Sequence, residues 1–227
     1  MAEQFDALVE EIGRLPEEWH TAGSLGRKVL QRIVHHAGTG MLSRTAETGS
    51  GKSTLLFSRM SRHHTVFALD YGGSISAVRN SPLFDSSAVE FVEGATQKTL
   101  PGYRFDGKLD LVLIDGPHGY PFPELEYWHF YPHIAAGGLL VIDDIHIPTI
   151  HNLFAFVRDD AMFELLEVAG TTAIFRRTAA PLFDPYGDGW WEQGYNKKRF
   201  PATLRQKLVN LIPMAMQRRL ARLLGRA

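Results

Sequence analysis

The sequence predicts a protein of the α/β class, built on a doubly wound, mostly parallel sheet that ends in an antiparallel hairpin. Short apolar runs alternate along the chain with segments of helical periodicity, which is the pattern of βαβ units. Only Ala169-Gly170 separates the last two apolar runs, so these two strands should form a hairpin. The chain has 227 residues, of which 44% are hydrophobic and 22% charged, enough for one domain with a substantial core.

The predicted elements follow from this alternation in chain order. Strands are expected in seven apolar runs: Met41–Ala46, Thr65–Leu69, Val89–Val92, Leu109–Ile114, Gly138–Ile142, Phe163–Val168 and Thr171–Arg176. Helices are expected before the sheet at 4–14 and 22–37, and between the first five strands at Ser53–Arg62, Ser74–Asn80, Gln97–Leu100 and Phe122–Ile134.

We divide the chain into N-terminal helices (1–40), a sheet domain (41–178) and a C-terminal part (179–227). Residues 180–201 are rich in Pro, Gly and aromatic residues and are predicted to be irregular, with Trp190, Trp191 and Tyr195 packed on the body rather than covering a site. Residues 202–227 are predicted to form one or two amphipathic helices that restart at Pro213.

Composition excludes several classes of site. The chain has no cysteine, so disulfides, thiolate metal sites and cysteine nucleophiles are excluded. The acidic N-terminus lacks a secretory signal, and no apolar run reaches the roughly 18 residues of a membrane span. We therefore expect a cytoplasmic protein. Nine of the 24 Lys and Arg residues follow Glu192, after which there is no acid. A solvated or docked helix explains this basic tail best, and weak contact with an anionic membrane is the alternative.

A glycine-rich turn, E-T-G-S-G-K-S-T, begins at Glu47 and has two competing interpretations. As A-x4-G-K-S, from Ala46 to Ser53, it imitates a phosphate-binding P-loop. As E-x-G-x-G-x-S it resembles motif I of the class I S-adenosylmethionine (SAM) methyltransferases. That resemblance implies that Glu47, Gly49, Gly51 and Ser53 hold the methionine end and the ribose of SAM.

An acid at the end of the second strand favours the second interpretation. Asp70 closes the run T-V-F-A-L-D, about where a Rossmann-like fold places the acid that binds the ribose hydroxyls. A P-loop has no need of this acid. In the methyltransferase interpretation, the turn after the third strand, Gly94-Ala95-Thr96, lies beside the adenine.

Three aspartates follow the next two strands of the chain. Asp115 ends L-D-L-V-L-I-D, and Asp143 with Asp144 ends G-G-L-L-V-I-D-D. If these strands are neighbours, three carboxylates converge at the edge of the sheet where α/β proteins bind ligands. Such charges repel one another unless a cation lies among them, and oxygen ligands favour Mg²⁺ or another hard divalent cation. The alternative is that one or two of the aspartates only cap turns.

The passage I-D-G-P-H-G-Y followed by D-D resembles the macrocin- and catechol-type small-molecule O-methyltransferases, and with the glycine turn this resemblance covers roughly residues 22–178. It implies the Rossmann-like class I methyltransferase fold, with Asp115 beside both the cofactor and the metal. His118 is its candidate general base, and His146 is a second candidate.

We therefore predict SAM-dependent, metal-assisted O-methylation of a hydroxyl on a small molecule or sugar, with no specific nucleic acid partner. Asp115, Asp143 and Asp144 are the expected metal ligands. Two alternatives remain at this stage: a P-loop NTPase or kinase, and a non-catalytic protein of the same fold tethered by its basic tail. The methyl acceptor and the oligomeric state, including a homo-oligomer, stay open.

Overall fold

The computed structural model describes residues 2–16, 25–184 and 187–200, together with Met216. The strands lie at β1 (Leu42–Thr48), β2 (Ser61–Ala68), β3 (Val89–Glu93), β4 (Leu109–Ile114), β5 (Ile134–Ile142), β6 (Phe163–Ala169) and β7 (Thr172–Arg177). The helices lie at α1 (Ala2–Gly13), α2 (Arg27–Ala37), α3 (Lys52–Met60), α4 (Ser74–Arg79), α5 (Thr96–Thr99), α6 (Phe122–Phe130), α7 (Pro148–Asp159) and α8 (Gly194–Arg199).

The seven strands form one sheet in the order β3-β2-β1-β4-β5-β7-β6. The first five strands pair in parallel, whereas β7 runs antiparallel to both β5 and β6. This confirms the predicted α/β class and the predicted closing hairpin, whose turn contains Gly170 at a φ of +62°. The strand order reverses between β1 and β4, and a ligand crevice is expected at the carboxyl ends of these strands.

Two apolar layers cover the sheet, one on each face. The side chains of Val112 and Leu140 belong to the layer that contains α6 and α7. Leu113 and Val141, the next residues in the same strands, belong to the layer that contains α1, α2 and α3. Because both faces of the central strands are buried, their sequences are continuous apolar runs rather than alternating ones.

Several element boundaries differ from the prediction. Strand β2 begins at Ser61 and β5 at Ile134, in both cases four residues earlier than expected. Helix α7 was not predicted, although its buried Ile150, Leu153, Phe154 and Val157 have helical spacing.

The N-terminal and C-terminal predictions are tested only in part. The predicted helix at 22–37 begins at Arg27, and residues 22–24 lie outside the described part. Residues 187–200 contain the short helix α8 instead of being wholly irregular, and the Tyr195 ring lies 5.6 Å from that of Phe156 on α7. The predicted helices at 202–227 fall outside the described residues. Among the described residues, no helix is long and apolar enough to cross a membrane.

Candidate active site

A cavity of about 560 Å³ opens at the carboxyl edge of the sheet. This volume lies in the range of small-molecule and cofactor sites. The turns that follow β1, β2, β3, β4 and β5 all contribute to its wall, as does the start of α2. Of the predicted site residues, those that line the cavity are Gly49, Gly51, Ser53, Gly94, Ala95, Thr96, Asp115, His118, Asp143 and Asp144.

The glycine-rich turn needs glycine at Gly49 for two reasons. Its φ is +84°, a conformation that side chains rarely adopt. A Cβ atom at this position would also lie 2.5 Å from the carbonyl oxygen of Asp115. The turn therefore packs directly against the end of β4 and leaves an open backbone cradle facing the cavity.

Glu47 lies beneath the turn rather than at the cavity wall. Its side chain is fully buried, and its Oε1 accepts hydrogen bonds from the Thr54 hydroxyl and, at 3.1 Å, from Nε2 of His64. The Thr54 hydroxyl also accepts the backbone N–H of Gly51 at 3.0 Å. Glu47 thus supports the turn from below, and the structure does not place its carboxylate among the residues that line the cavity.

Asp70 follows β2 as predicted, but its side chain is occupied by α4. Its Oδ1 accepts the backbone N–H of Ile75 at 2.9 Å, and its Oδ2 accepts the Ser76 hydroxyl at 3.0 Å. The neighbours Leu69 and Tyr71 line the cavity, whereas Asp70 is not among the lining residues. Asp70 therefore caps the amino end of α4 in the structure.

The acidic cluster that follows β4 and β5 contains His118. One ligand atom each from Asp115, His118 and Asp144 lie within 4.8 Å of one another. Nε2 of His118 is 3.4 Å from Oδ2 of Asp144, and Nδ1 of His146 is 3.5 Å from Oδ1 of the same carboxylate. This set differs from the predicted ligands, because His118 takes the place expected for Asp143.

Strand geometry explains why the two consecutive aspartates separate. Asp143 ends the regular strand and accepts a hydrogen bond from the Thr172 hydroxyl of β7. Asp144 has a φ of +54°, so the chain turns sharply at this residue. Successive side chains of a strand point in opposite directions, and the turn at Asp144 directs its carboxylate towards His118. Asp143 still lines the cavity.

The carboxyl groups crowd one another electrostatically. Burial raises the pKa of Asp115 well above its usual range, and the charges of Asp143 and Asp144 raise it further. Burial also raises the pKa of Asp143, while the hydrogen bond from Thr172 opposes that rise. A divalent cation would relieve this repulsion, and carboxylate oxygens with an imidazole nitrogen are suitable ligands for it. The residues therefore fit a bound metal ion.

Glu126 on α6 was missed by the sequence analysis. Its side chain is buried, and Oε2 accepts the Thr48 hydroxyl at 2.8 Å. The same hydroxyl accepts the backbone N–H of Asp115 at 3.0 Å. A Cβ at Gly116 would collide with Oε1 of Glu126. Glu126 thus lies directly under the turn that carries Asp115. An acid between the apolar Leu125 and Tyr127 of an aromatic-rich helix was the signal that could have revealed it.

The comparisons with known proteins agree with this fold. Residues 46–145 match the family model described as a methyltransferase domain. The O-methyltransferase TomG from Streptomyces achromogenes, in complex with SAM, aligns with a TM-score of 0.56 at 13% identity over 76% of this chain and 90% of that one. An O-methyltransferase from Bacillus cereus in complex with SAH aligns with a TM-score of 0.53 at 14% identity, over 78% and 100% of the two chains.

A third structure is MycE, a methyltransferase of the mycinamycin biosynthetic pathway in complex with Mg and SAH. It aligns with a TM-score of 0.50 at 15% identity, over 79% of this chain and 57% of that one. No curated protein sequence matches the chain. These comparisons and the topology do not favour the P-loop alternative. The sheet therefore has the class I methyltransferase fold, and residues 46–145 match the model of a methyltransferase domain.

Proposed function

We propose that the protein is a SAM-dependent methyltransferase that acts, with a divalent cation, on a hydroxyl group of a small molecule or sugar. The observation that carries this proposal is one continuous cavity, which joins the glycine cradle at Gly49 to the cluster of Asp115, His118 and Asp144. A cofactor at the glycine cradle and an acceptor at the acidic cluster would meet within this one cavity. The ligands of the similar structures support the same assignment: SAM is bound in TomG, SAH in the B. cereus enzyme, and Mg with SAH in MycE.

The cofactor would extend from the glycine turn towards the turn after β3. Gly49, Gly51 and Ser53 would face its methionine end, and Gly94-Ala95-Thr96 would lie beside its adenine. Asp70 remains our candidate for the ribose. A carboxylate has about four lone-pair sites, so Asp70 can accept ribose hydroxyls while the contacts to α4 fix its orientation.

The chain's own residues would position the acceptor and remove its proton. When bound, SAM supplies an activated methyl group, and a divalent cation supplies positive charge beside the acceptor oxygen. Asp115 and Asp144 would hold the cation, with Asp143 beside them in the cavity wall. His118 would take the hydroxyl proton at Nε2, where the nearby Asp144 carboxylate stabilises the resulting imidazolium. Positioning and electrostatics then account for most of the rate enhancement.

The acceptor class is also part of the proposal. MycE has been solved with mycinamycin VI, and TomG is involved in tomaymycin synthesis, so small molecules are suitable acceptors to test first. A direct test supplies methyl-labelled SAM, Mg²⁺ and a panel of vicinal diols, phenols and sugars to the purified protein. We expect label in an oxygen-linked methyl group, and none when the cation is chelated. Transfer to nitrogen alone would contradict the O-methylation assignment.

A further inference from the structure

Lys52, at the first position of α3, is a buried cation in the cavity wall. Only 8% of its surface is exposed, and it is one of the lining residues. Its Nζ donates a hydrogen bond to the backbone carbonyl of Leu15 at 3.2 Å. Among the ion pairs of the described residues, none includes Lys52.

This arrangement leaves a positive charge without an anionic partner in the described structure. An ammonium group has three donors, and the Leu15 carbonyl accepts one of them. Removing a cation from water is costly unless it gains a negative partner. The amino end of α3 adds its own partial positive charge at the same place. The surroundings of Lys52 therefore favour an anionic group on a ligand in the cavity.

Negatively and positively charged residues of the cavity wall also follow different strands. The carboxylates of Asp115, Asp143 and Asp144 occupy the part of the wall that follows β4 and β5, where they would repel an anion. Lys52 occupies the part that follows β1, immediately after the glycine turn and beside the buried Ser53. An anionic ligand group is therefore expected next to the glycine turn, where the proposed function places the methionine end of the cofactor.

We propose that Lys52 binds the α-carboxylate of SAM and of S-adenosylhomocysteine. This inference rests on the proposed function, since it assigns one group of the proposed cofactor to one residue of the chain. An acidic group on the methyl acceptor is the other source of a carboxylate. The position of Lys52 immediately after the glycine turn, at the amino end of α3, favours the cofactor.

The test compares two ligands that differ by the group in question. 5′-Methylthioadenosine shares the adenosine and sulfur of S-adenosylhomocysteine but lacks the amino-acid carboxylate. Isothermal titration calorimetry of each ligand with wild-type protein, Lys52→Met and Lys52→Arg separates the lost charge from any change in folding. Lys98→Met is the matched control, because it removes an exposed lysine of the same domain.

We expect Lys52→Met to weaken S-adenosylhomocysteine binding by about 10- to 100-fold, the range of a charge-assisted hydrogen bond. Its affinity for 5′-methylthioadenosine should stay within about twofold of wild type, because that ligand has no carboxylate for Lys52 to bind. Lys52→Arg should retain most of the affinity for S-adenosylhomocysteine, and Lys98→Met should resemble wild type.

Two results would overturn the inference but leave the proposed function standing. One is unchanged S-adenosylhomocysteine binding by Lys52→Met, which is also the result expected if Lys52 binds a carboxylate of the acceptor. The other is an equal loss of affinity for both ligands. If the wild-type protein binds neither ligand, the proposed function itself fails together with the inference. The experiment therefore distinguishes the two failures.

Discussion

Nε2 of His118 lies 3.4 Å from Oδ2 of Asp144, so the base and the metal ligand of the proposed mechanism are immediate neighbours. His118 follows β4, and Asp144 follows β5, which pairs with β4 in parallel. Because parallel neighbours end at the same edge of a sheet, the topology brings the two side chains together. The same proximity allows His118 to serve either as a base or as a third metal ligand, and substitutions separate these roles.

The Asp144→Ala variant should lose turnover but keep the cofactor. We expect turnover to fall by at least about 100-fold, as when a metal ligand or a group that assists proton transfer is removed. Binding of S-adenosylhomocysteine, measured by calorimetry, should remain close to wild type. Asp106→Ala, at an exposed acid, is the control. Equal loss of turnover and of cofactor binding would contradict the metal role.

His118→Gln should separate the base from the ligand set. If His118 is the base, turnover should fall by about 10²- to 10⁴-fold, while the affinity for Mn²⁺, followed by electron paramagnetic resonance, stays within a few-fold of wild type. A loss of Mn²⁺ affinity as large as that of Asp144→Ala would instead make His118 a ligand, in agreement with the observed cluster.

Thr54→Val should weaken the support of the glycine turn. The Thr54 hydroxyl joins Gly51 to the buried Glu47, and valine has the same shape without the hydroxyl. Unpaired buried polar groups cost about 1–3 kcal/mol, so we expect a loss of that order in the free energy of unfolding and weaker S-adenosylhomocysteine binding. Thr54→Ser should restore most of both. If valine leaves cofactor affinity intact, the turn does not depend on this contact.

Gly49→Ala should be more harmful than Gly38→Ala, although the two glycines have nearly the same φ, +84° and +83°. A Cβ at Gly38 meets no atom within 4 Å, so that variant reports only the backbone strain at a ψ of −171°, about 1–3 kcal/mol. At Gly49 the Cβ also collides with the carbonyl of Asp115. Denaturant unfolding should show the larger loss for Gly49→Ala, together with lost cofactor binding. Equal losses of unfolding free energy in the two variants would contradict a close approach between Gly49 and the carbonyl of Asp115.

Glu126→Gln should change how stability depends on pH. Burial raises the pKa of Glu126 to about 7 from its usual 4.5, against the opposing hydrogen bonds from Thr96 and Thr48. The folded protein therefore keeps this proton between pH 4.5 and 7, whereas the unfolded chain loses it. The stabilisation is complete below the lower value and is lost as the pH rises through about 7.

Glutamine cannot titrate, so Glu126→Gln should lack this pH-dependent part of the unfolding free energy. From pH 5 to pH 8, we expect wild type to lose about 3 kcal/mol of unfolding free energy relative to Glu126→Gln. Urea titrations of both proteins at the two pH values provide the measurement. Parallel pH profiles would show that Glu126 is already ionised in the folded protein at pH 5.

The sheet was predictable because its central strands are continuous apolar runs separated by helical segments. The polar start of β2 could not be predicted in this way. The sequence pattern assigns Ser61 to the preceding helix and His64 to the segment before the strand, yet both are buried in β2. Oγ1 of Thr45 lies 2.7 Å from the Ser61 hydroxyl and 2.8 Å from Nδ1 of His64. Buried polar residues that satisfy one another carry no periodic signal.

The location of the site was predictable, but the orientation of its side chains was not. Topology alone brings Asp115 and Asp144 to the same edge of the sheet. Local contacts decide the rest: the Thr172 hydroxyl holds Asp143, and the amino end of α4 holds Asp70. Glu47 lies inside the fold because its partner His64 belongs to the polar start of β2. The contacts of Asp143 and Glu47 join residues 29 and 17 positions apart, so spacing within a motif could not reveal them.

The most direct test of the central claim is thermal unfolding with SAM, S-adenosylhomocysteine or ATP, each with and without Mg²⁺. A ligand at 100 times its dissociation constant adds about 2.7 kcal/mol, or roughly 5–11 °C for a chain of this size. We predict a rise in Tm with SAM and with S-adenosylhomocysteine, and none with ATP. A rise with ATP and Mg²⁺ alone would contradict the account and return the segment from Ala46 to Ser53 to the P-loop interpretation.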